Sequence, residues 1–296
     1  MGLLSLLLVL AADEPADTLT KKMLPVYVKE ASEYVIAIET APKKNLQLKK
    51  EAVFEWSNPV RSGLQQGVIF LWLRDGRPAA LGSFWSQPED RKVVGRKVYH
   101  EFHALDPEKL VVTRPAGALN GWTPEAGLTR SPLPDPGTPA AAPAARLLQM
   151  RKLAQEFTGH SIDEAKRRLD LRLLPSPLYR YPEAKAGAVD GAVFTLVSTD
   201  GTDPEVLLLI EAKDEGGKLR WEYACGRFSD RNLYVQRKGK DVWASVLGAA
   251  NTRKHDERYL YQAYADKIVS PDGKLLARVR VTDKIWWGEV FPVDGK

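Results

Sequence analysis

The sequence predicts an α+β protein made of two tandem, diverged repeats, each a helix plus an antiparallel β-meander, followed by a C-terminal hairpin extension. Three observations point to this class. The halves of the 296-residue chain align with each other, each half opens on a helical apolar pattern, and Asp-Gly turns join pairs of apolar runs. A chain of this length can bury two separate cores.

The alignment of the two halves is the main reason to expect a repeat. Residues 29–59 match residues 152–182 without a gap, and Glu33 and Glu156 are among the identical pairs. Further matches follow in the same order, and the offset changes only at predicted turns, where insertions are tolerated. An ordered series of matches favours duplication of one unit over chance.

Local patterns then predict the individual elements. Helical periodicity indicates helices over residues 144–158 and, more weakly, 25–36. The strands are expected in two matching sets, at 67–73, 79–85, 97–104 and 110–114 and at 191–197, 205–212, 219–225 and 233–237. The last part of the chain predicts a polar helix near 253–266 and a hairpin turned at 270–273.

These elements divide the chain into five parts. They are a signal peptide at 1–11, a first unit at 22–122, a Pro/Ala-rich linker at 123–143, a second unit at 144–247 and an extension at 248–296. Proline fixes φ and lacks an amide donor, so the linker is expected to stay out of sheet interiors and to run over the surface. Trypsin is therefore expected to cut it at Arg130.

The N-terminus predicts export. Leu3 to Leu10 form an uncharged apolar run, and the small residues Ala11 and Ala12 precede a polar stretch, which is typical of a secretory signal peptide. No Lys or Arg precedes the run, so an apolar first helix or strand is the alternative. The run is too short to span a membrane. Cys225 is the only cysteine, which fits a bacterial periplasmic or secreted protein without disulfides.

Long strings of the sequence support the same localisation. They are SNPVRSGLQQGVIFLWLRDGRPAALGSF, YHEFHAL, QMRKLAQEFT, LRLLPSPLYRYP and DGTDPEVLLLIEA. Together they resemble a family of exported, uncharacterised proteins that is abundant in planctomycete bacteria. The resemblance covers nearly the whole chain and implies export in a bacterium. It assigns no activity, cofactor or binding residue to these positions.

Most common chemistries have no motif in the sequence. Phosphate-binding loops, dinucleotide fingerprints, nucleophile elbows and paired Cys-x-x-Cys motifs are missing, so no cofactor is expected. The net charge of +5 comes from interspersed charges, which does not favour nucleic-acid binding. His100 and His103 lie three apart in a predicted strand, where they point to opposite faces, so no metal site is expected.

The best polar candidates are two residue types that match between the halves. Glu101 aligns with Glu222, and Arg114 aligns with Arg237. They could form two equivalent ligand pockets, each with a carboxylate and a guanidinium group. They could equally form a structural pair between adjacent strands, which partial burial would make necessary. The second interpretation is the simpler one.

Trp286 and Trp287 are the remaining candidates, because adjacent residues of a strand face opposite sides and one ring is then exposed for a contact. Together these features predict an exported cell-envelope protein, a non-enzymatic binding or structural module for a protein, a glycan or a small ligand. The alternative is a secreted or periplasmic hydrolase that uses carboxylates such as Glu101 or Glu222.

Overall fold

The computed structural model describes residues 16–61, 64–89, 93–182, 188–246, 259–282 and 288–293. The expected signal peptide at 1–11 lies outside these residues, and so do Trp286 and Trp287. No helix in the described part of the chain is both long and apolar enough to cross a membrane.

The protein is mostly β, with 55% strand, 10% helix and two helices in the part that the structure describes. The prediction of an α+β fold, built from two helix-plus-meander repeats and a C-terminal hairpin extension, is therefore wrong. Local patterns locate many strands correctly but do not determine their partners. The strands assemble into large antiparallel sheets whose strand orders differ between the two halves of the chain.

The elements follow one another in this chain order. The first half contains α1 (Ala16–Ser32), β1 (Val35–Ile38), β2 (Ala41–Asn45), β3 (Gln47–Asn58), β4 (Gln65–Arg74), β5 (Arg77–Glu89), β6 (Gly95–Ala104) and β7 (Leu110–Thr113). The rest contains β8 (Ser131–Pro132), α2 (Pro143–Ala154), β9 (Phe157–Ile162), β10 (Arg168–Leu173), β11 (Tyr179–Arg180), β12 (Asp190–Ser198), β13 (Pro204–Glu215), β14 (Lys218–Arg227), β15 (Asn232–Arg237), β16 (Lys240–Ser245), β17 (Tyr261–Val269), β18 (Leu275–Arg280) and β19 (Glu289–Pro292).

The strands form three antiparallel sheets. A small sheet has the order β2-β1-β7. The first large sheet has the order β19-β18-β17-β6-β5-β4-β3. The second large sheet has the order β16-β15-β9-β10-β12-β13-β14-β8, and β11 pairs with β12 outside that path. The linker therefore contributes β8 to the edge of the second large sheet.

The C-terminal hairpin is part of the first large sheet, where β17 pairs with β6. The helix expected near 253–266 is replaced by this strand from Tyr261 onward, and residues 253–258 lie outside the described residues. Gln262 and Tyr264 are both buried, and an inward side chain at every second position is the pattern of a strand. Of the polar side chains in this stretch that the structure describes, Asp266 is buried and pairs with Arg114.

Three apolar clusters separate four layers of structure. One cluster lies between the first large sheet and α1 with the small sheet, and a second lies between the second large sheet and α2. The third lies between the two large sheets, where Ile69 and Leu207 are fully buried. Strands β4 and β12 are buried on both faces, which explains their nearly continuous apolar sequences. The middle cluster makes the two large sheets one packed unit.

Candidate functional site

Glu101 and Arg114 do not contact each other through an ion pair. Glu101 lies on β6, is 9% exposed and accepts a hydrogen bond from the Tyr261 hydroxyl at 2.7 Å. Arg114 follows β7 and pairs with Asp266 at 2.9 Å and with Glu33 at 3.3 Å. The expected structural pair between adjacent strands is replaced in this half by two separate interactions.

Glu222 and Arg237 also bind other partners. Glu222 of β14 lies 3.3 Å from the Lys213 ammonium on β13. Arg237 donates a hydrogen bond from Nε to Glu156 at 2.8 Å. The matched arginines therefore pair with Glu33 and Glu156, which are identical in the alignment of the halves. The sequence contains this signal in the identical pair Glu33 and Glu156, which follow the ends of the two helices and do not lie on neighbouring strands.

Three potential metal ligands meet beneath α1. Ligand atoms of Glu30, His100 and Asp266 all lie within 4.8 Å of one another. The Lys267 ammonium lies 2.7 Å from Glu30 Oε2 and 3.5 Å from Asp266 Oδ2. The guanidinium group of Arg114 also binds Asp266. Arg114 and Lys267 thus face Glu30, Asp266 and Glu33, and this composition is that of a buried salt-bridge network that ties α1 to β6 and β17.

His100 and His103 point to opposite faces of β6. His100 Nδ1 lies 2.6 Å from the Tyr34 hydroxyl, on the side of α1. His103 Nδ1 lies 2.6 Å from the Ala104 carbonyl oxygen. Its ring packs against Gly226 in the other large sheet, where a Cβ atom would lie 3.0 Å from the ring. Burial lowers the pKa of His103 to about 4, so this ring is neutral at pH 7.

A polar seam links the segment after β3, in the first large sheet, to the start of β13, in the second. We define it by Arg61, Glu101, Asp203, Glu205 and Arg231. Arg231 Nη1 donates to Glu205 Oε1 at 2.9 Å, and Arg61 Nη1 donates to Asp203 Oδ2 at 3.3 Å. Glu205 Oε2 has no hydrogen-bond partner among the described residues, although the side chain is fully buried. The seam therefore sets three carboxyl groups against two guanidinium groups.

Burial of these carboxyl groups changes their titration. Desolvation raises the pKa of Glu101 to about 8, although the hydrogen bond from Tyr261 and the charge of Arg61 oppose it. Desolvation likewise raises the pKa of Glu205 to about 7 against Arg61 and Arg231. Groups that exchange protons near neutral pH are suited to acid–base chemistry. Glu101 and Glu205 are enclosed between the sheets, however, so their protons affect stability rather than contact a substrate.

A surface groove of about 640 Å³ lies beside the exposed edge of β14. Its walls come from the linker between Pro132 and Ala141 and from the β13–β14 hairpin between Glu215 and Glu222. This volume falls within the range of small-molecule sites. Of the sequence-predicted candidates, Glu222 lines this groove.

The linker wall of the groove is held by specific hydrogen bonds. Leu133 donates its backbone N–H to the Trp221 carbonyl oxygen at 2.9 Å. Gln149 of α2 donates to the Thr138 carbonyl oxygen at 3.0 Å. Arg130 is also held, because its Nε donates to the buried carboxylate of Glu211 at 2.9 Å. The burial of this side chain protects the site where trypsin was expected to cut the linker.

The rim of the groove carries charges of both signs. Arg220 Nε lies 3.1 Å from Glu215, and Glu222 is paired with Lys213. Lys218 is exposed and forms no ion pair with any residue in the described ranges. The indole N–H of Trp221, in the groove wall, has no hydrogen-bond partner among these residues either. The site therefore combines a proline-rich wall with Lys218, which has no ion-pair partner within the described ranges.

Comparison with family models, with curated proteins and with solved structures finds no match to this chain.

Proposed function

We propose that this chain is an exported module of a bacterial cell envelope that binds a partner in the groove between the linker and β14. The observation that carries the proposal is a groove of about 640 Å³ whose linker wall is already fixed in place. A preformed wall spares a ligand the entropic cost of ordering it. The N-terminal apolar run supports export, and an N-terminal sequence of the native protein beginning near Ala12 would test it.

The hairpin that forms the other wall is also rigidly shaped. Gly216 and Gly217 have φ values of 65° and 85°, a left-handed conformation that favours glycine. The tight turn holds Glu215 and Lys218 at neighbouring places on the rim, where they are directly paired in the register of β13 and β14. Both walls are thus shaped before a ligand arrives, as expected of a binding site.

Hydrolysis is less well supported by the positions of the carboxylates. A glycoside hydrolase needs two carboxyl groups about 5–10 Å apart on either side of the scissile bond. Glu101 is enclosed at the seam, whereas Glu222 lies in the groove and is held by Lys213. Glu215 also lines the groove. Glu222 lies opposite Glu211, however, and the rise of an extended strand from Glu211 to Glu215 is about 13 Å. Binding is therefore the proposed function.

A bulky substitution in the groove tests this function. Thr138 is exposed in the linker wall, and Thr138→Trp is expected to fill the groove without disturbing the core. Binding of the full chain to arrayed bacterial glycans and peptides would be measured by biolayer interferometry. We expect Thr138→Trp to weaken binding about tenfold or more. The matched control is Val94→Trp, a substitution at a residue 81% exposed outside the groove, which should bind like the parent.

Two results would contradict the proposal. One is that no member of either array binds the parent protein. The other is that Thr138→Trp and Val94→Trp bind with equal affinity, which would place the contact surface elsewhere.

A further inference from the structure

We infer that the groove receives an extended polypeptide segment of a partner protein, which adds a strand to the free edge of β14. The inference deepens the proposed function and rests on it, because it names the class of ligand for the same groove. Strand addition uses main-chain hydrogen bonds for affinity and side-chain pockets for specificity. The observations that support it concern the backbone of β14, the course of the linker and the charge of the rim.

The edge of β14 is only briefly covered. β8 pairs with β14 at two positions, Pro132 opposite Glu222 and Ser131 opposite Tyr223. No described strand covers the same edge at residues 218–220. The uncovered stretch spans about 10 Å at the rise of an extended strand, which is room for three ligand residues.

The backbone groups on this edge point into the groove. The Trp221 carbonyl oxygen accepts a bond from Leu133, so Trp221 turns its polar backbone groups away from β13. In an antiparallel ladder every second residue points the same way, so the N–H and C=O of Leu219 also face the groove. An extended chain would supply the acceptor and donor that these two groups need.

The linker cannot supply them, because it turns away at this point. Asp135 has a φ of 46°, in the left-handed region, which ends the extended course that began at β8. Pro136 and Pro139 follow and form part of the opposite wall. The gap between wall and edge is therefore a slot with one hydrogen-bonding side and one apolar side.

The positive charge of Lys218 at the rim of the slot favours a ligand with an acidic side chain. Glu215 and Glu222 at the rim are already paired with Arg220 and Lys213. Lys218 remains without an ion-pair partner among the described residues and sits at the open end of the edge. An extended segment with small or β-branched side chains and one Asp or Glu fits this combination of apolar wall and single cation.

Synthetic peptides test the inference without altering the protein. The probe is a library of acetylated nine-residue peptides rich in Val and Thr, with Asp or Glu at one varied position, and fluorescence anisotropy reports binding to the full chain. The strongest binder is then remade with N-methyl groups at every second residue, in the two alternate registers. Because only alternate N–H groups face β14, one N-methylated register should lose about tenfold or more in affinity and the other should lose little.

A proline at the edge gives an independent test. Leu219→Pro removes the groove-facing N–H while leaving the ladder to β13 intact, since Leu219 does not donate to β13. Peptide affinity should fall about tenfold or more. Lys43→Pro, on the exposed edge strand β2 far along the chain, is the matched control and should bind like the parent.

The outcomes separate this inference from the proposed function. Equal loss of affinity in both N-methylated registers, or no loss in either, overturns strand addition. Glycans that bind the parent but not Thr138→Trp, while no peptide binds, would leave the proposed function standing and overturn the polypeptide ligand. Failure of glycans and peptides alike to bind would contradict both.

Discussion

Two glutamates between the same two sheets have opposite electrostatic surroundings. Glu211 accepts hydrogen bonds from Arg77 at 2.6 and 2.8 Å, from Arg130 at 2.9 Å and from the Tyr181 hydroxyl at 2.8 Å. Burial alone raises the pKa of Glu211, but the two arginines outweigh it and lower that pKa to about 2. Glu211 therefore stays ionised in the interior.

Glu101 has no such pair of arginines. Its hydrogen bond comes from the neutral hydroxyl of Tyr261, and Arg61 acts on it only through its charge while binding Asp203. Desolvation then prevails and raises the pKa of Glu101 to about 8. Burial alone therefore does not set the charge of these two carboxyl groups, because two arginines bind Glu211 and none binds Glu101.

The largest expected effect comes from removing one of those guanidinium groups. Arg77→Met leaves the charge of Glu211 with Arg130 alone in an enclosed site, and breaking a buried pair in this way costs about 3–5 kcal/mol of unfolding free energy. Urea unfolding at pH 7 measures the loss. Arg168→Met is the matched control, since its pair with Asp170 is exposed and should contribute less than about 0.5 kcal/mol.

A second variant shows whether the loss comes from the stranded charge. Arg77→Met combined with Arg130→Met and Glu211→Met removes all three buried charges, Arg130 included because it also pairs with Glu211, and should recover part of the stability. If Arg77→Met alone lost less than about 1 kcal/mol, Glu211 would not depend on its arginines and the comparison would fail.

The next effect is a pH dependence due to Glu101. Its pKa in the folded protein, about 8, lies above the ordinary value of 4.5, so the folded state holds the proton more tightly. The resulting stabilisation is complete below pH 4.5 and is lost as the pH rises through 8. We expect the difference between the parent and Glu101→Gln to change by roughly 2–4 kcal/mol between pH 5 and pH 9.

Urea unfolding of both proteins at several pH values measures this difference. Groups that titrate in both proteins, such as Glu205, contribute equally to the two unfolding free energies and cancel. Glutamine keeps an acceptor for the Tyr261 hydroxyl and stays neutral, so Glu101→Gln should be the more stable protein at pH 9. Glu211→Gln is the control with the opposite sign, because its lowered pKa makes its stabilisation disappear as the pH falls toward 2. Parallel pH profiles for the parent and Glu101→Gln would show that Glu101 is ionised in the fold.

The sequence could predict much of the local structure. The helix expected at 144–158 lies at Pro143–Ala154, and it ends earlier because Phe157 already belongs to β9. The Asp-Gly turn between β4 and β5 is present, with Asp75 and Gly76 at positive φ. These features depend on neighbouring residues, and so the local pattern contains them.

The sequence could not predict how strands choose partners over long distances. The pairing of β17 with β6 places Tyr261 beside Glu101, and the two positions are 160 residues apart. The groove depends on the linker crossing the β14 edge, where Leu133 binds Trp221. β8 of the linker lies at the edge of its sheet, but nothing in the composition of the linker specified which edge it would cover.

The smallest expected effect belongs to Glu222, which the alignment placed opposite Glu101. Its partner Lys213 has a side chain 44% exposed, and the two groups lie 3.3 Å apart at the rim of the groove. A pair open to water contributes little, since solvent and salt screen it and both long side chains must be ordered to form it. Glu222→Gln should therefore change the unfolding free energy at pH 7 by less than about 0.5 kcal/mol, as measured by urea unfolding. Glu101→Gln at the same pH is the comparison. A loss above about 1.5 kcal/mol for Glu222→Gln would mean that Glu222 is as dependent on its partner as a buried carboxylate, and exposure would not distinguish the two aligned positions.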